Sequence, residues 1–182
     1  MPASVKISFL MENSAARPGC LSEHGLSILV EIPDARILWD TGQSPMFMEN
    51  AQNMDICLDS VDFVALSHGH YDHTGGLADF LETHPGVPVH GHPALFTPRY
   101  SVRPDAGPPR SIGIPFTRDT IESSSGGLVL DAGPTEPAPG VFLTGEVPRE
   151  TAYEDTGGDF YLDRDGTKPD ILPDDMSLFI DT

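Results

Sequence analysis

Short apolar runs predict several β-strands in the first part of the chain. Apolar and polar residues alternate in Val5–Leu10, which predicts an opening strand. Residues 26–32 and 36–40 are also strand-like, and the Pro33–Ala35 turn between them predicts a β-hairpin. The unbroken apolar run Phe63–Leu66 predicts a strand that is buried on both faces of a sheet.

Two short helices are predicted on either side of this buried strand. Ser44 and Pro45 form a helix-start signal, with Ser44 as the cap and Pro45 in the first position, and the helix extends to about Asn53. Thr74 is predicted to cap the second helix, in which apolar residues recur at helical spacing at positions 77, 80 and 81.

The rest of the chain is predicted to contain short strands separated by loops. Strands are predicted at 87–90, 128–130, 141–147 and 176–180. Residues 101–140 are dense in Pro, Gly and Ser and are otherwise predicted to be loop. The alternation of strands with short helices predicts an α/β fold, and the length of 182 residues suits a single domain over 1–182.

The charge of the chain limits its partners. Acidic residues outnumber basic ones by 28 to 10, which gives a formal charge of −18 and argues against nucleic acid and anionic membranes as partners. An anionic substrate would need local cations. The sequence shows neither a membrane-spanning run nor a secretion signal, so a cytoplasmic location is predicted. Cys20 and Cys57 form no metal-binding CxxC motif and are predicted to be reduced, buried thiols.

Four metal-binding side chains lie within six residues, directly after the buried strand. His68, His70, Asp72 and His73 supply imidazole and carboxylate ligands, which suit zinc and also manganese, iron, cobalt or magnesium. The absence of thiolate ligands indicates a catalytic rather than a structural site. We expect one metal ion between His68 and His70 and a second at Asp72 and His73. Two such ions can share a water and lower its pKa toward about 7.

The motif and its flanking segments resemble a known family. The HxHxDH pattern in LSHGHYDHTGG is similar to the signature of the metallo-β-lactamase fold superfamily. Within it, the chain resembles the group of dihydropterin-ribofuranosylaminobenzene 5′-phosphate synthases. The segments that carry this narrower resemblance are EHGLSILVE, ILWDTG, the HP dipeptide at 92–93, LTGEVPR and DDMSLFI.

The resemblance implies a fold, a reaction class and residue roles. It implies an αββα sandwich and a metal-dependent hydrolase or transferase that acts on a phosphate or diphosphate ester. It also implies metal ligation by His68, His70, Asp72 and His73, with a second role for Asp72 in orienting the attacking water or accepting its proton.

One departure from the family pattern concerns the remaining ligands. Similar proteins complete the two sites with a His in a glycine-rich loop after a strand resembling 178–182, and with a residue still nearer the C-terminus. No His follows His92 here. We therefore expect an N-terminal part of a longer fold, with an incomplete second half. The alternative function is an inactive remnant, or a half-domain that needs a partner chain.

Four further residues are weaker candidates. Asp40 either caps its own Asp-Thr-Gly turn, which is favoured, or fixes the metal loop. His24 is either a hydrogen-bonding residue at a strand end, which is favoured, or a substrate contact. Glu146 and Arg149 form either an exposed ion pair, which is favoured, or a site where Arg149 grips a substrate phosphate. Oligomeric state cannot be predicted from the sequence.

Overall fold

A computed structural model describes residues 4–103, 105, 107–151, 153–154 and 158–181. These residues form twelve strands and four α-helices in the following order: β1 (Lys6–Met11), β2 (Ser27–Ile32), β3 (Ala35–Trp39), α1 (Met46–Asn53), β4 (Phe63–Ala65), α2 (Tyr71–Thr74), α3 (Leu77–Thr83), β5 (Val89–Gly91), β6 (Tyr100–Ser101), β7 (Arg110–Ser111), α4 (Arg118–Ser124), β8 (Leu128–Leu130), β9 (Thr135–Ala138), β10 (Val141–Leu143), β11 (Phe160–Tyr161) and β12 (Leu178–Ile180). A 3₁₀-helix spans Pro93–Phe96. No helix in these residues is long and apolar enough to cross a membrane.

The largest sheet has the strand order β1-β2-β3-β4-β5-β8. Strands β1, β2 and β3 pair antiparallel, which confirms the predicted hairpin, and β3, β4, β5 and β8 pair parallel. The central strand β4 is buried on both faces, as predicted from its unbroken apolar run. Its carboxyl end leads directly into the HxHxDH motif.

Helices cover one face of this sheet. Phe47 of α1, Phe80 of α3 and Ile121 of α4 are fully buried against sheet residues such as Leu38 and Val64. Burying a side chain of this size stabilises the fold by about 1.5–3 kcal/mol.

A second sheet of three strands, ordered β12-β10-β9, covers the other face. Ile37 and Phe63 from the large sheet pack against Val141, Leu143 and Met176. Side chains alternate along a strand, so Phe63 points to this side while Val64 points to the helices. In the residues described, no helix packs on the outer face of the second sheet, so the αββα sandwich has the incomplete second half that was predicted.

The structure corrects both predicted helix starts. The first helix begins at Met46 rather than Pro45, and Ser44 is not its cap, although the Ser44 Oγ accepts a hydrogen bond from the Met46 amide at 3.3 Å. The second predicted helix is α3, which begins at Leu77 after Gly76, and Thr74 does not cap it because Thr74 is the last residue of the separate short helix α2. The Thr74 hydroxyl donates instead to the His70 carbonyl at 2.8 Å, which closes α2.

The predicted loop between 101 and 140 contains more structure than expected. Besides β8 it includes β6, β7, β9 and the helix α4. The signal for α4 was present in the sequence, because Thr117 is a good N-cap and its hydroxyl accepts a hydrogen bond from the Thr120 amide. The prediction of buried cysteines is also wrong: Cys57 is exposed and Cys20 is half-buried, although both are free.

Candidate metal centre

The four predicted ligands lie together at the carboxyl end of β4. His68 and His70 occupy the loop after the strand, and Asp72 and His73 lie in α2. The ring centroids of His68 and His70 are 4.7 Å apart, and those of His68 and His73 are 4.2 Å apart. The Asp72 Oδ2 lies 3.7 Å from the Nε2 of His73. The loop therefore gathers three imidazoles and one carboxylate within a few ångströms.

Asp40 fixes this loop from the end of the neighbouring strand β3. Its fully buried carboxylate accepts hydrogen bonds from the Ser67 amide, the Ser67 hydroxyl and the Nδ1 of His73, each at 2.7 Å. The favoured prediction, a cap for its own turn, is wrong. Asp40 has a positive φ of 58°, and its turn also holds α2, because the Thr41 amide donates to the His73 carbonyl at 2.8 Å.

These hydrogen bonds determine the tautomers of two imidazoles. A carboxylate only accepts, so His73 must donate through Nδ1 and keeps a free lone pair on Nε2. The Ser67 hydroxyl donates its one hydrogen to Asp40. His68 must therefore be the donor in its 2.9 Å hydrogen bond between Nδ1 and the Ser67 Oγ. In their neutral form, both rings thus keep Nε2 unprotonated and able to bind a metal ion.

The two imidazoles differ in pKa. Burial, followed by the charges of His73, His70 and Arg99, lowers the pKa of His68 well below its usual value. Burial also acts to lower the pKa of His73, but the hydrogen bond to Asp40 and the charges of Asp40 and Asp72 outweigh it and raise that pKa. His68 is therefore in the neutral, metal-binding form near pH 7, whereas a metal ion at His73 competes with a proton.

A buried ionic cluster supports the loop from the opposite side. Arg99 is fully buried; its Nε lies 2.7 Å from the Asp170 Oδ2 and its Nη2 lies 2.5 Å from the Asp174 Oδ1. Asp174 also accepts a hydrogen bond from the Gly69 amide at 2.7 Å. The Asp170 Oδ2 lies 3.8 Å from the Nε2 of His70. Sequence analysis missed all three members of this cluster.

Gly69 is required by the close packing of this cluster. A Cβ at position 69 would collide with the Leu95 carbonyl and with the guanidinium of Arg99. The glycine between His68 and His70 therefore lets the loop backbone lie directly against Arg99.

Asp72 has a second histidine beside it. The Nε2 of His24 lies 3.2 Å from the Asp72 Oδ2, and the Nδ1 of His24 is 2.8 Å from the Asn13 Oδ1. His24 precedes β2 by three residues, and its side chain is exposed on the metal loop. Its position next to Asp72 comes from Gly25, which has a φ of 131° and packs against the Asp72 carbonyl.

Glu146 and Arg149 lie at a different cavity from the one lined by His70 and Asp72. Arg149 donates from Nε to the Ile171 carbonyl at 3.1 Å and from Nη2 to the Asp175 carboxylate at 3.2 Å. The favoured prediction of a Glu146–Arg149 ion pair is therefore wrong, because Asp175 is the partner of Arg149. Both predicted residues line a separate cavity beside residues 171–173.

The donor types, three imidazoles and one carboxylate, are those that divalent metal ions bind. His68 and His73 each have a hydrogen bond at Nδ1, as metal-binding histidines usually do, whereas the buried Nε2 of His70 lies 3.8 Å from the Asp170 Oδ2 and has no hydrogen-bond partner among the described residues. Within the described ranges, no group of three or more His, Cys, Asp or Glu side chains is arranged to hold one ion. The predicted partition, with one ion at His68 and His70 and a second at Asp72 and His73, stays a prediction.

Sequence comparison assigns the family. The profile of the metallo-beta-lactamase superfamily matches residues 23–147, which include every residue of the HxHxDH motif. The chain belongs to the metallo-beta-lactamase superfamily. The predicted resemblance is therefore confirmed. The matched residues include most strands of the large sheet and the loop that carries the HxHxDH motif.

Two proteins of Methanocaldococcus jannaschii are similar over nearly the whole chain. The 7,8-dihydropterin-6-methyl-4-(beta-D-ribofuranosyl)-aminobenzene-5'-phosphate synthase is 30% identical, covering 98% of this chain and 64% of the synthase. MJ0448 is 30% identical, covering 94% of this chain and 64% of MJ0448. This metallo-beta-lactamase superfamily chain thus spans about 64% of the length of both relatives.

A solved structure supports the same fold. Tm1679, a metal-dependent hydrolase of the beta-lactamase superfamily, superposes with a TM-score of 0.76 at 30% identity. The match covers 97% of this chain and 61% of Tm1679. The metallo-beta-lactamase fold is therefore shared over 97% of this chain.

Proposed function

We propose that this chain contains the metal-binding part of a hydrolase or transferase that acts on a phosphate or diphosphate ester. The observation that carries the proposal is the meeting of His68, His70, Asp72 and His73 at one strand end, with Asp40 and Ser67 presenting two of the imidazoles. The similarity to a phosphate synthase and to a metal-dependent hydrolase supports it.

The residues divide into ligands and groups that orient them. A bound divalent ion, with zinc favoured by the ligand types, would supply Lewis-acid assistance and lower the pKa of a bound water toward about 7. Asp40 and Ser67 hold His73 and His68 in the binding tautomer. Asp72 is a ligand and is also the carboxylate that would orient the attacking water or accept its proton, and His24 at 3.2 Å would restrain it.

The partners are part of the same proposal. We propose a small anionic substrate, because the two metal ions would supply the positive charge that a chain of formal charge −18 otherwise lacks. Because of the same negative charge, we propose that neither nucleic acid nor an anionic membrane is a partner. We also propose a cytoplasmic location.

A second candidate is a half-domain that binds metal and reacts only with a partner chain, or an inactive remnant. The observation that favours it is the absence, in the described part of the chain, of any group of three ligands for one ion. Sites with two protein ligands per ion bind metal weakly.

Metal content and phosphodiester cleavage distinguish the two candidates. The purified chain is loaded with zinc or manganese, dialysed, and measured by elemental analysis and with bis-p-nitrophenyl phosphate. We expect about one or two ions per chain and turnover that His70→Ala abolishes. His84→Gln, which changes an imidazole at the end of α3, should leave both unchanged. A well-folded chain that binds metal without turnover would favour the half-domain, and one with neither metal nor turnover would favour the inactive remnant; either result would reject the enzyme for this chain.

A further inference from the structure

A third small sheet lies beside the metal loop. Its strand order is β11-β6-β7, and its registers pair Phe160 with Ser101 and Ser101 with Arg110. Directly paired residues project from the same face of a sheet. Phe160, Ser101 and Arg110 therefore form a row, and Arg103 follows Ser101 by two residues on the same side.

This row is fixed directly to the metal loop. The Tyr71 amide donates to the Ile112 carbonyl at 3.0 Å, and His70 forms a backbone bridge with Gly113. The ring of Phe160 meets the ring of His70 edge to face, with centroids 4.9 Å apart. Backbone contacts of His70 and Tyr71 therefore hold the segment after Arg110 against the loop, and the ring contact holds Phe160 against His70.

A cavity of about 370 Å³ lies between the row and the loop. His70 and Asp72 line it on one side, and Arg103, Arg110 and Phe160 line it on the other. Its volume falls within the range of pockets that bind small molecules. One wall thus carries two metal-binding residues, and the other carries two guanidinium groups.

The two arginines stand out in so acidic a chain. Arg103 is mostly exposed, and among the described residues its carboxylate partner is Asp159, whose Oδ2 lies 3.9 Å from the Arg103 Nε, a distance at which a surface pair contributes little. Guanidinium groups bind phosphate through two parallel hydrogen bonds, and weak competing pairs leave those donors available to a ligand.

We propose that Arg103 and Arg110 bind a phosphate group of a small-molecule substrate and direct the rest of that substrate to the His70–Asp72 side of the metal centre. This inference rests on the proposed function and names its substrate class. It also assigns the phosphate role to Arg103 and Arg110, in place of the predicted Arg149, which contacts Asp175 beside another cavity.

Phosphate binding can be measured without turnover. Titration calorimetry of pyrophosphate into the metal-free chain should show binding, and Arg103→Gln with Arg110→Gln should weaken it about tenfold or more, as expected for the loss of charge-assisted hydrogen bonds. Arg118→Gln is the matched control, because Arg118 lies on α4 and pairs with Glu122. Arg110→Lys, which keeps the charge but not the bidentate geometry, should fall between the wild type and Arg110→Gln.

A second measurement separates this inference from the proposed function. In the zinc-loaded chain, the double variant should raise KM for a diphosphate ester such as phenyl diphosphate, which has one phosphate for the arginines and one for the metal centre, with little change in kcat, and should retain its metal content. Unchanged pyrophosphate affinity and unchanged KM in a chain that binds metal and turns over would overturn the inference alone. Absence of metal and turnover, with binding of pyrophosphate that still depends on the arginines, would overturn the proposed function alone.

Discussion

Two buried carboxylate systems hold the metal loop from opposite sides, and they differ in how their charge is neutralised. On one side, the partners of the Asp40 carboxylate in the described part of the chain are the Ser67 amide, the Ser67 hydroxyl and His73, with no guanidinium among them. On the other side Asp170 and Asp174 share the buried guanidinium of Arg99. Both systems reach the same six-residue motif.

The difference indicates different roles for the two systems. The charge of Asp40 is transmitted to His73, whose pKa it raises, so this carboxylate makes the imidazole a stronger ligand. Arg99 offsets one of the two negative charges of Asp170 and Asp174, and this cluster holds the Gly69 amide and lies beside the ring of His70. We expect damage to the first system to change metal affinity and damage to the second to change stability.

The largest expected effect comes from Arg99→Met. This substitution leaves two carboxylates buried without their cation, which typically costs about 3–5 kcal/mol. The loss is a large part of the stability of an ordinary domain, about 5–15 kcal/mol. Urea denaturation of the metal-free chain, monitored by circular dichroism, measures the free energy of unfolding.

A triple variant tests the cause of that loss. Arg99→Met combined with Asp170→Asn and Asp174→Asn removes all three charges, while the side-chain amide introduced at position 174 can still accept the hydrogen bond from the Gly69 amide. We expect this variant to recover much of the lost stability, because replacing a whole buried ion cluster costs less than removing one partner. If the triple variant is no more stable than Arg99→Met, the unpaired buried charges are not the cause of the stability that Arg99→Met loses.

We expect a smaller effect from Asp40→Asn, and we expect it in zinc affinity rather than in the free energy of unfolding. The amide that replaces the carboxylate can donate a hydrogen bond to His73 Nδ1, which moves the imidazole proton to Nε2 and blocks the ligand position. Changes to such partners of a metal-binding histidine lower affinity about 10–100-fold. Competition with a chromogenic chelator measures zinc affinity.

Arg99→Met serves as the comparison for this measurement under conditions where it remains folded. Its zinc affinity should fall less than that of Asp40→Asn, because the contacts of Asp40 and Ser67 remain in place. Equal losses of affinity in both variants would contradict the division of roles between the two systems.

The part of the site that could be predicted from the sequence is the part encoded locally. His68, His70, Asp72 and His73 are close in sequence, and the buried strand before them has a clear apolar pattern, so both the ligands and the fold were recognisable. The incomplete αββα sandwich could be predicted from family resemblance, because the motifs of the family occur in order along the chain.

The supporting residues could not be predicted because their contacts join distant positions. Arg99 and Asp174 are 75 residues apart, and nothing near either one marks it as buried. Asp40 was assigned to its own turn because the Asp-Thr-Gly sequence fits a turn, whereas its partners Ser67 and His73 are brought to it by the pairing of β3 with β4.

The smallest expected effect comes from Ser67→Ala, which alters the Asp40 system while leaving its charge. The Ser67 amide and His73 still donate to Asp40, and only the hydroxyl that links Asp40 to His68 is lost. One hydrogen bond contributes about 1 kcal/mol, so zinc affinity should fall about fivefold. The same chelator competition measures it. A loss as large as that of Asp40→Asn would mean that the tautomer of His68, rather than the carboxylate at His73, controls binding at the centre.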